Sequence, residues 1–355
     1  MWQGIEGHDA IVDMFRRTLE RGRLASTYLF VGPSGVGKRT FAHRLAQALL
    51  CRASPAQRLE PCGRCESCLM AQAGTHPDIL EVAKPADRAE IPVRLLIGAG
   101  ERRMQEGLCH DLWQKPLPGS RRIAVIDDAD DLNEEGANCL LKTLEEPPPG
   151  AVIFLIGTSA QRQLPTIRSR AQLVRFQPLE PATVARLLVE RGMVADEAEA
   201  ARIAQYSDGS LERAGELLDA DYWTFRRTWL AELADPRASV LEASKQLLAF
   251  VEEAGKEAAA RRKRLRQAID LTTDFFMELA RVLAGAPNLG DDEIRRASQR
   301  RSETWLTGDE GALEAAARCL EAREQVERYV NQATLVECWL DDLASIAESN
   351  TQVAK

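Results

Sequence analysis

Two sets of residues in this chain have the types and spacing to do chemistry. The first is Gly32-Pro33-Ser34-Gly35-Val36-Gly37-Lys38-Arg39-Thr40. Glycines at this density let consecutive backbone N–H groups turn toward one anion, and a lysine at the end adds a point charge for the outer phosphates of a nucleotide. The position after the lysine should carry Ser or Thr, whose hydroxyl ligates Mg²⁺. Here it is Arg39. Thr40 comes one residue late, about 100° further round a helix of 3.6 residues per turn, so it should face away from the metal. The second set is Cys51, Cys62, Cys65 and Cys68, a C-x10-C-x2-C-x2-C pattern. Four thiolates suit tetrahedral Zn²⁺, and the short CxxC steps wrap one ion more readily than they form disulfides. A set of four protein ligands leaves no open position for water, so the expected site is structural. The other reading is a group of buried or redox cysteines.

The elements around these residues fit their chemistry. Tyr28-Leu29-Phe30-Val31 is a short apolar run that reads as a buried strand, and residues 41–50 are apolar at helical spacing. Strand, glycine loop and helix are the context a phosphate-binding loop requires. A second apolar strand, Ile123-Ala124-Val125-Ile126, ends on Asp127-Asp128. Asp127 is placed to hold a Mg²⁺ shell, and Asp128 to polarise an attacking water. Hydrolytic versions of this motif use Glu at the second position; Asp falls short by one methylene, on the order of 1.5 Å. A displacement of about 1 Å can cost about 100-fold in rate. Further strands are expected at 77–82, 151–157 and 173–176, alternating with helices, which predicts an α/β core with a parallel sheet and helices on both faces. Asn133 is a helix cap and Pro147-Pro148-Pro149 a stop.

Around this core, Gly4–His8 reads as a turn before a helix that carries Ile11, Val12, Phe15 and Leu19 on one face. His8 is either a surface histidine or a group that touches a nucleotide base. Residues 91–112 read as helical despite Pro92 and Gly98. After Leu179 the strands stop: 181–220 gives short helices and 224–350 is helical throughout, broken at Pro236, Pro287–Gly290 and Thr307-Gly308-Asp309. The basic runs Arg261–Arg266, Arg295-Arg296 and Arg300-Arg301 are either solvated helix faces or nucleic-acid contacts. Cys109, Cys139, Cys319 and Cys338 sit in apolar helical patterns and read as small core residues.

The 355 residues have room for about two or three domains. The net charge of −8 gives no global field toward nucleic acid. The first residues lack the basic-then-apolar pattern of a signal peptide, and no apolar run approaches the roughly 20 residues of a membrane span. A cytoplasmic location is expected, where cysteines stay reduced.

Leu140-Leu141-Lys142-Thr143-Leu144-Glu145-Glu146-Pro147-Pro148 and Ser169-Arg170, in order after the glycine loop, the cysteine set and the acidic strand end, resemble the bacterial clamp-loader family of AAA+ ATPases. Tyr329–Glu337 resembles the last helix of that family. The resemblance implies three parts: an AAA+ nucleotide-binding core at 1–178 with a zinc module at 51–68, a helical lid at 179–222, and a helical collar for oligomerisation at 223–355. It implies a pentameric ring with gamma/tau and delta subunits that loads a sliding clamp onto primed DNA for DNA polymerase III. It makes Gly32, Gly35, Gly37, Lys38, Arg39, Thr40, Asp127, Asp128 and Thr158 the candidate nucleotide-binding residues for ATP with Mg²⁺. Thr158 takes the place of the sensor of the γ-phosphate, and Arg170 that of a finger into a neighbouring subunit's ATP site. The family's usual Ser-Arg-Cys is Ser-Arg-Ala here, with Ala171.

Three departures fall in the chain's own site. They are Arg39, Asp128, and Glu212 where the lid of a motor subunit carries arginine, with Arg213 one position late. Arg170, which would serve a neighbour, is intact. This asymmetry favours the family's delta-prime type, with little or no ATP hydrolysis of its own, over the alternative, a gamma/tau-type motor.

Overall fold

The structure, a computed structural model, describes residues 2–85, 88–287, 291–327 and 330–348. It divides into two compact units, Met1–Leu218 and Asp219–Lys355. In the first, helix α1 (Asp9–Glu20) leads into strand β1 (Thr27–Val31) and helix α2 (Lys38–Leu50). Then come α3 (Glu66–Gln72), β2 (Ile79–Val82), α4 (Val93–Ile97), α5 (Leu108–Leu112), β3 (Ile123–Ile126), α6 (Glu134–Glu145), β4 (Val152–Ile156), α7 (Pro165–Arg168) and β5 (Gln172–Arg175). Three helices close the unit: α8 (Pro181–Glu190), α9 (Glu197–Tyr206) and α10 (Leu211–Glu216).

The five strands form one sheet in the order β2-β3-β4-β1-β5, and every pairing is parallel. Alternation along β1 shows why it is covered on both faces. Tyr28 and Phe30 join Phe15, Phe41, Phe154 and Phe176 on one side, while Leu29 and Val31 join Leu96, Leu140, Ile153 and Leu155 on the other. Phe30 has ring neighbours at 5.9 Å (Phe41), 5.2 Å (Phe154) and 5.1 Å (Phe176). Each such ring, fully buried, contributes about 1.5–3 kcal/mol. Because all strands run the same way, the segments after β1, β3 and β4 leave the sheet at one edge. The two stretches that carry the expected chemistry, Gly32–Lys38 and Asp127-Asp128, are therefore brought together with Thr158.

The expected helix over 91–112 is broken. Pro92 precedes α4, Gly98 ends it with φ +76°, and Gly107 precedes α5 with φ +92°. A Cβ at Gly107 would stand 2.8 Å from the backbone of Leu96, Ile97 and Gly98, so the chain must fold back on itself there. Asn133 caps α6 as expected, its Oδ1 accepting from the Gly136 amide at 2.8 Å.

The second unit is helical: α11 (Ala220–Ala234), α12 (Val240–Glu252), α13 (Ala258–Leu283), α14 (Asp292–Ser302), α15 (Gly308–Glu327) and α16 (Gln332–Glu348). Trp229, Leu247, Leu265, Phe275 and Trp339 are buried in it. The basic runs are not simply solvated faces. Arg264 is buried and pairs with Asp219 at 3.1 Å and Asp221 at 2.9 Å, and Arg295 pairs with Glu278 at 2.7 Å. A buried guanidinium is tolerated only with such partners. Of the four cysteines expected in cores, Cys109 and Cys319 are buried, Cys139 is half-buried and Cys338 is exposed. Asn288, Leu289, Gly290 and Tyr329, part of two stretches singled out in the sequence, lie outside the described residues. No helix among the described residues is long and apolar enough to cross a membrane.

Candidate functional site

The glycine loop adopts the conformation that its composition demands. Gly35 and Gly37 take φ of +73° and +95°, which other residues rarely adopt, and Gly37 is the N-cap of α2. Among the described residues, nothing in the chain accepts a hydrogen bond from the backbone amides of Gly35, Val36, Gly37 and Lys38, so this concave row of donors is open to an anion. Lys38 is 7% exposed, and its Nζ donates to the carbonyls of Gly32 at 2.7 Å and Pro33 at 2.6 Å. Burial pulls its pKa down, opposed by the charges of Asp127, Asp130, Glu212 and Asp128.

Arg39 reaches across the sheet edge instead of leaving a metal position clear. Its guanidinium bonds Glu81 on β2, and its Nε lies 3.5 Å from Asp127 Oδ2. His43, one turn along α2, stands 3.4 Å from the same Glu81. Thr40 is exposed, and its hydroxyl makes no hydrogen bond to these acids. Asp128 takes φ +53°, and burial pushes its carboxyl pKa up, reinforced by Asp127 and opposed by Lys84. Magnesium does not fit here. It wants oxygen ligands near 2.0–2.1 Å in octahedral geometry, and a hydroxyl is missing while a cation already holds the carboxylate.

Thr158 and helix α10 complete the rim. The Thr158 amide and hydroxyl donate to Asp130 Oδ2 at 2.6 and 2.5 Å, and Gln163 Nε2 donates to Oδ1 at 2.5 Å. The start of α10 sits directly on the loop: the Leu211 amide donates to the Gly35 carbonyl at 3.0 Å. Ser210 caps α10 through the Arg213 amide at 3.1 Å. Glu212 thus presents a negative charge toward Lys38, and Arg213 turns away to pair with Asp208 at 2.8 Å. His8 is not the surface histidine of one sequence reading. It is buried, bonds the Val36 carbonyl at 2.7 Å through Nε2, and packs edge-on against Phe176.

Arg170 stands apart, just beyond α7. Its Nη2 meets Glu145 Oε1 at 2.5 Å, and its Nη1 donates to the Thr166 carbonyl at 2.9 Å and Ser169 Oγ at 3.1 Å. These partners fix the base of a side chain that remains one-third exposed.

The ligand atoms of Cys51, Cys62, Cys65 and Cys68 all lie within 4.8 Å of one another. Tetrahedral Zn–S bonds of 2.3 Å require S···S separations of about 3.8 Å; Cys62 and Cys68 are 4.0 Å apart. The four-sulfur set fits zinc, with these cysteines as the only groups needed. Burial raises the Cys65 thiol, but the amides of Cys68 and Arg52 and the neighbouring thiols outweigh it and bring it down to about 6. Burial pushes Cys68 up to about 12; a bound dication would reverse that by favouring the thiolate.

Sequence reasoning missed the groups that brace these sites. Glu81 and Asp130 are two of them; a lone charge within the apolar strand Ile79–Val82 was the available signal for Glu81. Behind the cysteines, His76 Nδ1 accepts from the Asp78 amide at 3.1 Å. Its Nε2 therefore donates to Ser67 Oγ at 3.0 Å, and Ser67 donates to the Leu50 carbonyl at 2.7 Å.

A five-stranded parallel sheet with a phosphate-binding loop after β1, an acidic end on β3 and a polar residue after β4 defines a P-loop core of the AAA+ class. Comparison with known proteins narrows this. The family described as "DNA polymerase III, delta subunit" matches residues 7–180. The chain is 33% identical over 228 residues to the DNA polymerase III subunit delta' of Pseudomonas aeruginosa, covering 64% of this chain and 63% of that one. Against the Bacillus subtilis subunit delta' it is 30% identical over 233 residues, covering 65% and 62%. Against the gamma/tau subunit of Mycobacterium tuberculosis it is 31% identical over 219 residues, covering 61% and 36%. The chain thus spans somewhat under two thirds of the delta' relatives' lengths and about a third of the gamma/tau relative's. By these matches the chain is related to the delta' and gamma/tau subunits of the bacterial clamp loader.

Proposed function

We propose that this chain is a delta-prime-type subunit of the DNA polymerase III clamp loader, a brace in the ring with little or no ATPase activity of its own. The observation that carries this reading is the ion pair of Arg39 with Asp127 and Glu81, which fills the place of the catalytic metal. Three further features support it. The Thr158 hydroxyl is engaged by Asp130, Glu212 sets a negative charge toward Lys38, and Arg213 is turned to Asp208. Each would oppose transition-state charge that a motor must stabilise.

In this reading Arg170 acts in trans on the ATP bound by a neighbouring subunit, and residues 1–178, 179–222 and 223–355 act as core, lid and collar. The collar joins gamma/tau and delta subunits in a pentameric ring that opens the sliding clamp and places it on primed DNA in the cytoplasm. Zinc on Cys51, Cys62, Cys65 and Cys68 is structural. The intact Lys38 and the gamma/tau alignment favour the second reading, a motor subunit. ATP turnover by the purified chain separates the two. A brace releases essentially no phosphate, whereas magnesium-dependent turnover that rises with clamp and primed DNA would replace this reading by the motor.

A further inference from the structure

The glycine loop and the acidic strand end make opposite statements about ligand. The amides of Gly35, Val36, Gly37 and Lys38 are unclaimed, and Lys38 stands among them with only loop carbonyls as hydrogen-bond partners and the charges of Asp127, Asp130, Glu212 and Asp128 around it. This half of the site is built for phosphate. The other half is already occupied by charge. Arg39 is bonded to Glu81 and lies 3.5 Å from Asp127, the carboxylate that would anchor a divalent ion. A guanidinium cannot lose its proton at any accessible pH, so it is a permanent cation in that place. A second cation arriving with the ligand would meet Arg39 at close range, would find no hydroxyl, and would have to break an existing ion pair.

We propose that Arg39 is a built-in replacement for the divalent cation, so that the loop takes a nucleoside di- or triphosphate as the metal-free anion. The inference rests on reading the loop as a nucleotide site. It reverses the usual dependence on magnesium: the metal competes for the ligand in solution and gains nothing in the site. The phosphate oxygens take the place of the Gly32 and Pro33 carbonyls on Lys38, and the chain's own arginine supplies the second positive charge. Hydrolysis gains nothing from this arrangement, because Arg39 cannot polarise a water as a metal does.

Calorimetric titration of the full-length chain with ADP and with ATP tests the idea, in excess EDTA and in excess magnesium. The expected result is binding in EDTA that weakens by roughly tenfold in magnesium, following the loss of the metal-free nucleotide. Arg39→Ser removes the cation and restores a hydroxyl, and should reverse the sign, with binding tighter in magnesium. Lys38→Ala should abolish binding in both conditions. Tighter wild-type binding in magnesium would overturn the inference, as would no binding of either nucleotide under both conditions. Neither result touches the role of Arg170 in trans, which is read from turnover of the assembled complex.

Discussion

Arg170 is clamped to Glu145 across twenty-five residues of chain, Nη2 to Oε1 at 2.5 Å, and the carboxylate comes from the last turn of α6. The two stretches that carry the family resemblance, 140–148 and 169–170, are thus one structural unit. Pro147 ends α6 so that Glu145 lies at its tip, and Leu164-Pro165 starts the short helix that delivers Arg170 beside it.

If that unit aims a finger at a neighbour, Arg170→Ala slows the one ATP site it serves. Arginine fingers contribute about 10³–10⁵ in rate, so the complex should lose nearly all turnover at that site while its assembly is unchanged. Glu145→Gln keeps the arginine but loosens its base, and should give a smaller loss. Steady-state ATPase of the reconstituted complex, alongside its elution volume, measures both. Wild-type turnover with Arg170→Ala would remove the role in trans.

Asp130 gathers three donors, two from Thr158 and one from Gln163, and so ties the end of β3 to the end of β4. Hydrogen bonds to a charged acceptor contribute about 1.5–3 kcal/mol each, with losses that do not add in full. Asp130→Ala should destabilise the first unit by about 2–4 kcal/mol. Asp130→Asn, which keeps one acceptor, should cost less. Urea unfolding followed by circular dichroism gives both values, and equal midpoints for Asp130→Ala and wild type would contradict the bracing role.

The sequence made β1, β3 and β4 legible because they are short, almost wholly apolar and bounded by glycine or acids. It made the glycine loop and the cysteine set legible because their chemistry is local: neighbours within about ten residues do the work. What it hid is what depends on the fold. Nothing near Arg39 in sequence announces Glu81, 42 residues away. His8 reads from sequence as a surface histidine or a group that touches a nucleotide base, and only the fold shows it buried with its ring on the Val36 carbonyl. Arg264 lies in a basic run whose composition suggests solvent, yet Asp219 and Asp221 make its burial tolerable. The helix over 91–112 failed for a local reason, the positive φ of Gly98 and Gly107.

The cysteine cluster makes a stoichiometric prediction. The purified chain should carry about one zinc per molecule, since four thiolates close a tetrahedral site. Cys65→Ser removes one ligand and should release the metal and lower the melting temperature. Atomic absorption on extensively dialysed protein measures the content. A zinc-free native protein would mean that the sulfurs converge for another reason.

Burial pushes the His76 imidazole below its ordinary range; Asp78 opposes this and Arg52 adds to it. The folded state therefore binds the proton less readily than the unfolded chain. Its contribution to stability is complete above about pH 6.5 and falls as pH drops from there toward the folded pKa, by up to about tenfold in the unfolding equilibrium per pH unit. Carboxylates and thiols also titrate, so the comparison is with His76→Gln, whose amide can donate to Ser67 and accept from the Asp78 amide. The loss of melting temperature between pH 7.5 and 5.5 should be smaller in the variant by this one-proton contribution. Parallel melting curves across that range would show that His76 is not the group responsible.

Gly35 offers the sharpest test of the contact between α10 and the glycine loop. Its φ of +73° already penalises any side chain, and a Cβ there would stand 2.5 Å from Glu212 Cβ and 2.8 Å from the Glu212 amide, besides striking Ser210 Oγ. The Glu212 amide belongs to the first turn of α10, so the clash cannot be relieved by rotating a side chain; the helix or the loop must move. Gly35→Ala should therefore break the bond from the Leu211 amide to the Gly35 carbonyl and cost about 1–3 kcal/mol. Lifting α10 loosens its packing on α8 and α9, so limited proteolysis should speed up within 177–220 while the β-sheet core stays resistant. Hydrogen exchange at the Leu211 amide reports the same event directly: its protection should fall in the variant. Unchanged protection there would mean that α10 does not rest on the loop in solution.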